Sequence, residues 1–509
     1  IRVEFFKKKE GDSSKKQETE NLLKGSSSRA QIINECTLRD LFGKCSDINF
    51  ETVYFYNKRV LMIYCTGLVS TEMLYEMIPK KLEECCAKLE GEVEGDKIIK
   101  LLNLPSVSIV QDEEQAVSEI FSGKLFIDFG SPQSIVSIDI SDRPQRSPEE
   151  TKNEVTILGP RDNFIEDLPV NIALIRKRLK SVSLLTNSLE IGKRTKTKVS
   201  ILYMEDVADK KILDEIMEKL GDIDIDGIFS GTQLEELINK NPYSFFPRHA
   251  YTGRPDFAVQ SLLNGRFIIL IDGTSYAYVT PINLFYLLKG SEDKENTYLY
   301  SSFERILRIF GLSIAAFLPG FWVAMTAFHQ NQLPLSLLAT IVEARRGVPF
   351  PTSLEAILML LLFELFREAG FRLPTSVGQT LSVIGGLIIG DAAIRAGLTS
   401  PAMLVVIAGS TIATFTLANQ SLIGTISLIR FFCIICVSIL GFFGFFISIF
   451  LVMIYITNIR TFGVPYFELA TRLDAKNILK SLFRLPESKK ATRASMLNPS
   501  DSTREKGES

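Results

Sequence analysis

Histidine is almost missing from this chain: His249 and His329 are the only two among 509 residues. Two are too few for a His-built metal cluster, and with one in each half of the sequence they offer no pair for acid–base work. Cysteine is sparse and unpatterned. The seven residues Cys36, Cys45, Cys65, Cys85, Cys86, Cys433 and Cys436 make no disulfide framework, which fits a reducing compartment. Cys433-x-x-Cys436 lies inside an apolar run and Cys85-Cys86 on an expected helix, so both read as packing rather than redox chemistry. Charge of either sign is not in excess, and a net charge of −2 speaks against nucleic acid or another polyanion as partner. No G-x-x-x-x-G-K follows a strand, which excludes the common phosphate cradle. With no catalytic constellation left, the chain reads as a non-enzyme without cofactor or metal.

An apolar signal segment is also lacking at the start. IRVEFFKKKEGDSSKKQETENLLKGSSSRA has no h-region, so residues 1–30 read as a disordered segment and the soluble half as cytoplasmic. The first residue is Ile, which points to a start codon that is non-standard or lies upstream. The most informative shortage is of charge in one long stretch. Between Leu373 and Ile459 the only charged residues are Asp391, Arg395 and Arg430. A soluble core of that length needs more polar cover, so this half is expected in a membrane.

What is present first is a duplication. VLMIYCTGLVSTEMLYEMI, starting at residue 60, aligns with VSILYMEDVADKKILDEIM, starting at 199. AVSEIFSGKLFID, from 116, aligns with AVQSLLNGRFIIL, from 258, so the offsets are 139 and 142 residues. In each copy a helix ends at a glycine, Gly123 or Gly265, suited to the left-handed C′ position. The second copy closes with a hairpin signal at Asp272-Gly273. The expected fold is multi-domain: a cytosolic α/β domain of two similar subdomains, followed by an all-α polytopic membrane domain. The expected boundaries are residues 31–140 for the first α/β subdomain, 141–154 for a linker and 155–300 for the second. Residues 301–460 are expected as the transmembrane domain and 461–509 as a basic, largely disordered cytoplasmic tail.

Three spans are expected, at 306–328, 400–418 and 425–457, the last exceeding the ~20 residues that a bilayer needs. Basic residues from Arg460 to Arg493 predict a cytoplasmic C-terminus, and hence an even number of crossings. In between, Thr352-x-x-Glu355 has the form of a capping box. Only eight apolar residues separate Glu355 from Glu364, too few to span alone, and Gly370 is expected to break the helix. Another helix is expected to start at Ser376, and a third at Thr399-Ser400-Pro401. Gly378, Ser382, Gly386 and Gly390 recur every four residues and form a candidate helix-packing face. The opposite face carries Gln379, Thr380, Val383 and Leu387, candidate pore-lining residues. Glu364, Arg367, Glu368, Arg372 and Asp391 are candidate pore-mouth charges, affordable at an interface, against protein or along water. On the residues alone three readings stay open: an interfacial helix with snorkelling charges, helices around a polar path, or a substrate site.

FREAGFRLPTSVGQTLSVIGGLIIGDAAIRAGLTSP resembles the signature of the A subunits of bacterial spore germinant receptors, the GerA family. GPRDNFIEDLPVNIALIRKRLKS and TGRPDFAVQSLLNGRFIILIDGTSYAYVTP agree, and the likeness runs from about Val155 to Ala470. The chain departs from the family pattern at Gly253, where Glu is usual, and at Ser275, where Pro is common. The resemblance implies a place in the spore inner membrane beside a transporter-like B subunit and a lipoprotein C subunit. It implies homo-oligomerisation in lipid, with a pentamer as the proposed ring, and a nutrient-gated ion channel that triggers germination. Competing readings are a secondary-transporter subunit and a membrane-anchored, partner-binding scaffold; against the first, no inverted repeat is visible.

Overall fold

The structure is a computed structural model of the chain. It describes residues 33–88, 95–102, 107–110, 112–130, 135–142, 162–239, 243–290, 295–372 and 390–467, with isolated positions elsewhere, among them 293, 483–484, 493 and 495–501. The chain divides into two compact units, residues 1–144 with 180–182, and residues 145–179 with 183–509.

In the first unit, helix α1 (Glu35–Phe42) is capped by the Asn34 side chain, which accepts from the Thr37 N–H. Strands β1 (Ile48–Phe55) and β2 (Lys58–Cys65) form a hairpin over Tyr56 and Asn57, whose φ angles of 48° and 61° match the twist of the strands. From Val60 onwards β2 is wholly buried, as expected of a strand covered on both faces. A π-turn (Met73–Met77) leads into α2 (Ile78–Lys88), which sinks Ile78, Leu82, Cys85 and Cys86 into the core at helical spacing. Burying such an aliphatic side chain contributes about 1.5–3 kcal/mol. Then follow α3 (Gly95–Leu102), β3 (Val107–Ile109), α4 (Glu113–Ile120), β4 (Lys124–Asp128) and β5 (Val136–Asp139). The five strands lie in the order β1-β2-β4-β5-β3, all antiparallel.

The second unit repeats this plan. It runs α5 (Leu168–Arg178), β6 (Leu184–Ile191), β7 (Thr197–Met204), α6 (Lys210–Gly221), α7 (Gly231–Ile238), β8 (Ala250–Thr252), α8 (Pro255–Leu263), β9 (Phe267–Ile271), β10 (Ala277–Thr280) and α9 (Leu284–Leu287). Its sheet has the order β6-β7-β9-β10-β8, again antiparallel, so each copy threads its own five strands first-second-fourth-fifth-third. Gly123 and Gly265 hold equivalent positions before β4 and β9 with φ of 91° and 84°, a conformation that L side chains rarely adopt. The two similar α/β subdomains are thus present.

The same unit continues into apolar helices: α10 (Tyr298–Val323, extended by a π-turn to Phe328), α11 (Leu335–Ala344), α12 (Thr352–Arg372), α13 (Gly390–Arg395), α14 (Pro401–Thr414), α15 (Ser421–Leu440) and α16 (Phe442–Asn458). Among the described residues, 298–328 and 421–440 are long and apolar enough to cross a membrane, and α11, α14 and α16 are shorter apolar helices. Arg460–Thr461 and Val464–Pro465 then form a small hairpin, and the Tyr466 carbonyl accepts from the Leu284 N–H at 3.0 Å. The start of α15 and the end of α16 therefore lie on the side of the second α/β subdomain. Further on, the Arg493 Nε–H donates to the Leu263 carbonyl (3.0 Å), and the Ser500 N–H to that of Val207 (3.0 Å).

Three expectations change. The run 425–457 is not one long span but an antiparallel pair, α15 and α16, broken at Gly441, whose φ of 61° and ψ of −140° only glycine adopts readily. Ser448 of α16 lies 3.2 Å from Cys433 of α15, and a Cβ on Gly444 would come within 2.2 Å of the Cys436 carbonyl. Second, α12 is continuous for 21 residues: Gly370 does not break it, and the charges after Glu364 ride on the same helix as the apolar run. Third, Glu355 does not reach back to close a capping box. It is fully buried and turned towards residues 399 and 400.

A charged seam among the apolar helices

The described half of the predicted polar region gathers on α12. Arg367 pairs with Glu364 one turn away and donates from Nη1 to the Ser427 hydroxyl on α15 at 3.0 Å. The side chains of both charges are about a quarter exposed, 25% and 22%. One turn beyond Ser427 stands Arg430, 2% exposed and within the electrostatic reach of both Glu364 and Arg367. A polar seam thus runs between α12 and α15 through otherwise apolar surroundings. Glu368, on α12, also interacts with a neighbour.

Arg430 has a specific structural task. Pro319 lies inside α10 and brings no N–H, so the Ala315 carbonyl lacks its regular i+4 donor. Arg430 supplies one, with Nε–H to the Ala315 carbonyl at 2.8 Å, and Nη2 reaches the Ser410 carbonyl of α14 at 3.3 Å. One guanidinium therefore pins α10, α14 and α15 together. The helices approach closely where α10 carries glycine. A Cβ on Gly320 would stand 2.4 Å from Cys433 Sγ, and one on Gly311 would stand 2.2 Å from Thr416 Oγ1.

A second buried group sits at the head of α12 and α14. Glu355 Oε1 accepts from Thr399 Oγ1 (3.1 Å), the Ser400 N–H (2.7 Å) and Ser400 Oγ (2.7 Å). Ser400 Oγ in turn accepts from the Met403 N–H at 3.3 Å, so the cap of α14 and the start of α12 form one network. Arg345 Nε lies 3.7 Å from Glu355 Oε2, and Arg345 also lines a cavity of about 190 Å³ with Thr326, Gln330, Ile341 and Val342 among others.

Of the remaining sequence-derived candidates, Asp391 forms an exposed ion pair with Arg395 at 2.7 Å, apart from the seam. Gly390 is buried, and a Cβ there would stand 3.2 Å from Leu404 Cδ2, so the end of that side chain would have to give way. Arg372 ends α12, and its side chain lies outside the described residues, as do Gly378, Gln379, Thr380, Ser382, Val383, Gly386 and Leu387 entirely. Arg430 stood out in the sequence only as a charge in an apolar stretch and Glu355 only as half of a capping box, and Gly311 and Gly320 carried no expectation. Signals existed for the glycines: Gly311–Ala315 and Ala316–Gly320 are both small-x-x-x-small pairs.

In the second α/β subdomain, the Glu235 carboxylate accepts from the Arg248 N–H (2.7 Å) and Tyr251 Oη (3.0 Å). Burial raises the Tyr251 and Tyr278 phenols far above their usual range. The adjacent His249 is fully enclosed, which lowers its basicity and holds it neutral. Among the described residues no group of three His, Cys, Asp or Glu stands ready to hold a metal.

Against known proteins, the family model for the Bacillus/Clostridium GerA spore germination protein matches residues 36–496. Spore germination protein XA of Bacillus anthracis is 41% identical over 485 residues, covering 94% of this chain and 98% of that protein. Spore germination protein KA of Bacillus subtilis is 33% identical over 425 residues, 84% of this chain and 78% of its own length. The crystal structure of the N-terminal domain of the A subunit of the Bacillus megaterium spore germinant receptor GerK3 is 24% identical, with a TM-score of 0.38, and matches 50% of this chain and 96% of that one.

Proposed function

The chain belongs to the Bacillus/Clostridium GerA spore germination protein family, and from that premise we propose that it is the A subunit of a nutrient germinant receptor, forming an ion path through the spore inner membrane. It carries out no catalysis. It assembles with copies of itself into a ring, a pentamer in the proposed form, beside a transporter-like B subunit and a lipoprotein C subunit. The observation that carries the ion-path reading is the seam of Glu364, Arg367, Ser427 and Arg430 within a bundle of apolar helices. Charges inside such a bundle are costly unless they serve structure or a polar route. Arg430 is explained by the orphaned Ala315 carbonyl, whereas the Glu364–Arg367 pair ties α12 to α15 through the Ser427 hydroxyl and still stays about a quarter exposed, 22% and 25%.

In this reading the helix expected from Ser376 turns Gln379, Thr380, Val383 and Leu387 towards the path. Gly378, Ser382, Gly386 and Gly390 pack against a neighbour. The two α/β subdomains and the tail after Asn458 face the cytoplasm, in keeping with the bonds that tie Tyr466, Arg493 and Ser500 to the second subdomain. The test is in spores. A strain lacking this chain should lose cation release in answer to its nutrient and regain it with the wild-type chain. Complementation by Glu364→Gln/Arg367→Gln should restore assembly with altered release. A strain whose nutrient response is unchanged by the deletion sinks the proposal.

A further inference from the structure

The second α/β subdomain sends one loop down beside the membrane helices. The Phe245 N–H donates to Tyr455 Oη at 3.1 Å, and the Phe245 carbonyl accepts from the Thr425 hydroxyl. Tyr455 lies three residues before the end of α16, and Thr425 four residues after the start of α15. Residue 245 is therefore about 5 Å, roughly one helical turn, inside both helix ends. Those ends are not free to project far. The 17 residues of α16 span only about 26 Å and the 20 of α15 about 30 Å, no more than a hydrocarbon core. A group one turn inside them stands at the boundary between headgroups and acyl chains.

The loop carries residues suited to that layer. Tyr243 is 84% exposed and Phe245 58%, with the Phe245 ring centroid 5.7 Å from that of Tyr455, while Phe246 is buried against Tyr455 and Tyr466. Aromatic side chains concentrate at this depth because the ring favours the acyl boundary while a phenol keeps its hydrogen bonds.

The geometry points to Tyr243 and Phe245 as a lipid-interface anchor that seats the second α/β subdomain on the bilayer. The inference rests on the membrane placement of α15 and α16 and goes beyond it, since it assigns lipid contact to the soluble fold. The chain has a single tryptophan, Trp322 on α10, which reports on that placement separately. The full-length protein is reconstituted in phosphatidylcholine–phosphatidylglycerol vesicles with acyl chains brominated close to the headgroup or close to the chain end. Native Trp322 is compared with Tyr243→Trp and Phe245→Trp, each made on a Trp322→Phe background. The expected result is blue-shifted emission from both loop tryptophans, quenched more by the shallow bromines than by the deep ones. Quenched Trp322 with unquenched, solvent-like loop tryptophans overturns the anchor and leaves the membrane placement standing. Blue-shifted but unquenched loop tryptophans mean that protein covers the loop, which also overturns it. An unquenched Trp322 removes the membrane placement itself, and the anchor with it.

Discussion

Replacing Arg430 with Met should loosen the helical bundle, and the loss should depend on Pro319. The substitution deletes the donor to the Ala315 carbonyl at 2.8 Å and the longer contact to Ser410 at 3.3 Å. Ala315 is fully buried, so its carbonyl finds no water in exchange. Hydrogen bonds from charged donors contribute about 1.5–3 kcal/mol in soluble proteins, but side-chain bonds within membranes average nearer 0.6 kcal/mol. Together the two contacts lead to an expected loss of about 1–3 kcal/mol. The reasoning is tested by adding Pro319→Ala. An alanine at 319 restores the N–H that the Ala315 carbonyl lacks, so Arg430→Met should then cost less, with a coupling of about 0.5–1.5 kcal/mol. Unfolding in mixed micelles gives the four corners of the cycle. Equal costs of Arg430→Met in both backgrounds would refute the pin.

Other perturbations test separate parts of the molecule. A Cβ on Gly231 would fall 1.3 Å from Tyr278 Cζ and 1.5 Å from Oη, so Gly231→Ala should displace a buried ring and lower stability by about 1–3 kcal/mol; an unchanged melting temperature of the full chain contradicts this packing. His249 has a folded-state pKa below the ordinary value of 6.5 because burial disfavours its cation, which the nearby Arg248 and Lys219 charges reinforce against Glu235. The unfolded chain therefore binds the proton more readily, and stability is full above pH 6.5 and falls as pH drops below it. Melting followed from pH 7.5 to 5.5 should show this loss, and His249→Phe should flatten it; parallel curves for the two proteins would count against the assignment. Gly386→Leu should prevent assembly or abolish the nutrient response, and spores carrying it that germinate normally would make the glycine stripe incidental.

The duplication was legible because it is written in local chemistry. A β-rich run, an amphipathic helix and a glycine before the next strand recur at near-constant spacing, and Gly123 and Gly265 adopt the left-handed angles that their positions suggested. The sheet order was not legible, since strand pairing is a long-range outcome. In the helical half, local rules misled where tertiary partners won. Thr352 and Glu355 have the spacing of a capping box, but the carboxylate found three donors at Thr399 and Ser400 instead. Gly441 sits within a continuous Phe-, Ile- and Leu-rich run, and membrane helices tolerate glycine, so nothing local marked it as a reversal. Arg430 could be seen as a charge in an apolar stretch, but its partner emerges only when the carbonyl freed by Pro319 is found opposite. The predicted charges at Glu364 and Arg367 do come together with Ser427, whereas Asp391 pairs with Arg395 at the surface.

The ion path is tested most directly by flux through liposomes holding the purified chain, comparing wild type with Val383→Gly while recording the oligomeric state. The account predicts closed homo-oligomers, with cation leakage from the Val383→Gly vesicles well above that from wild type or empty ones. A chain that stays monomeric in lipid, with leakage from both proteins equal to that of empty vesicles, would contradict it.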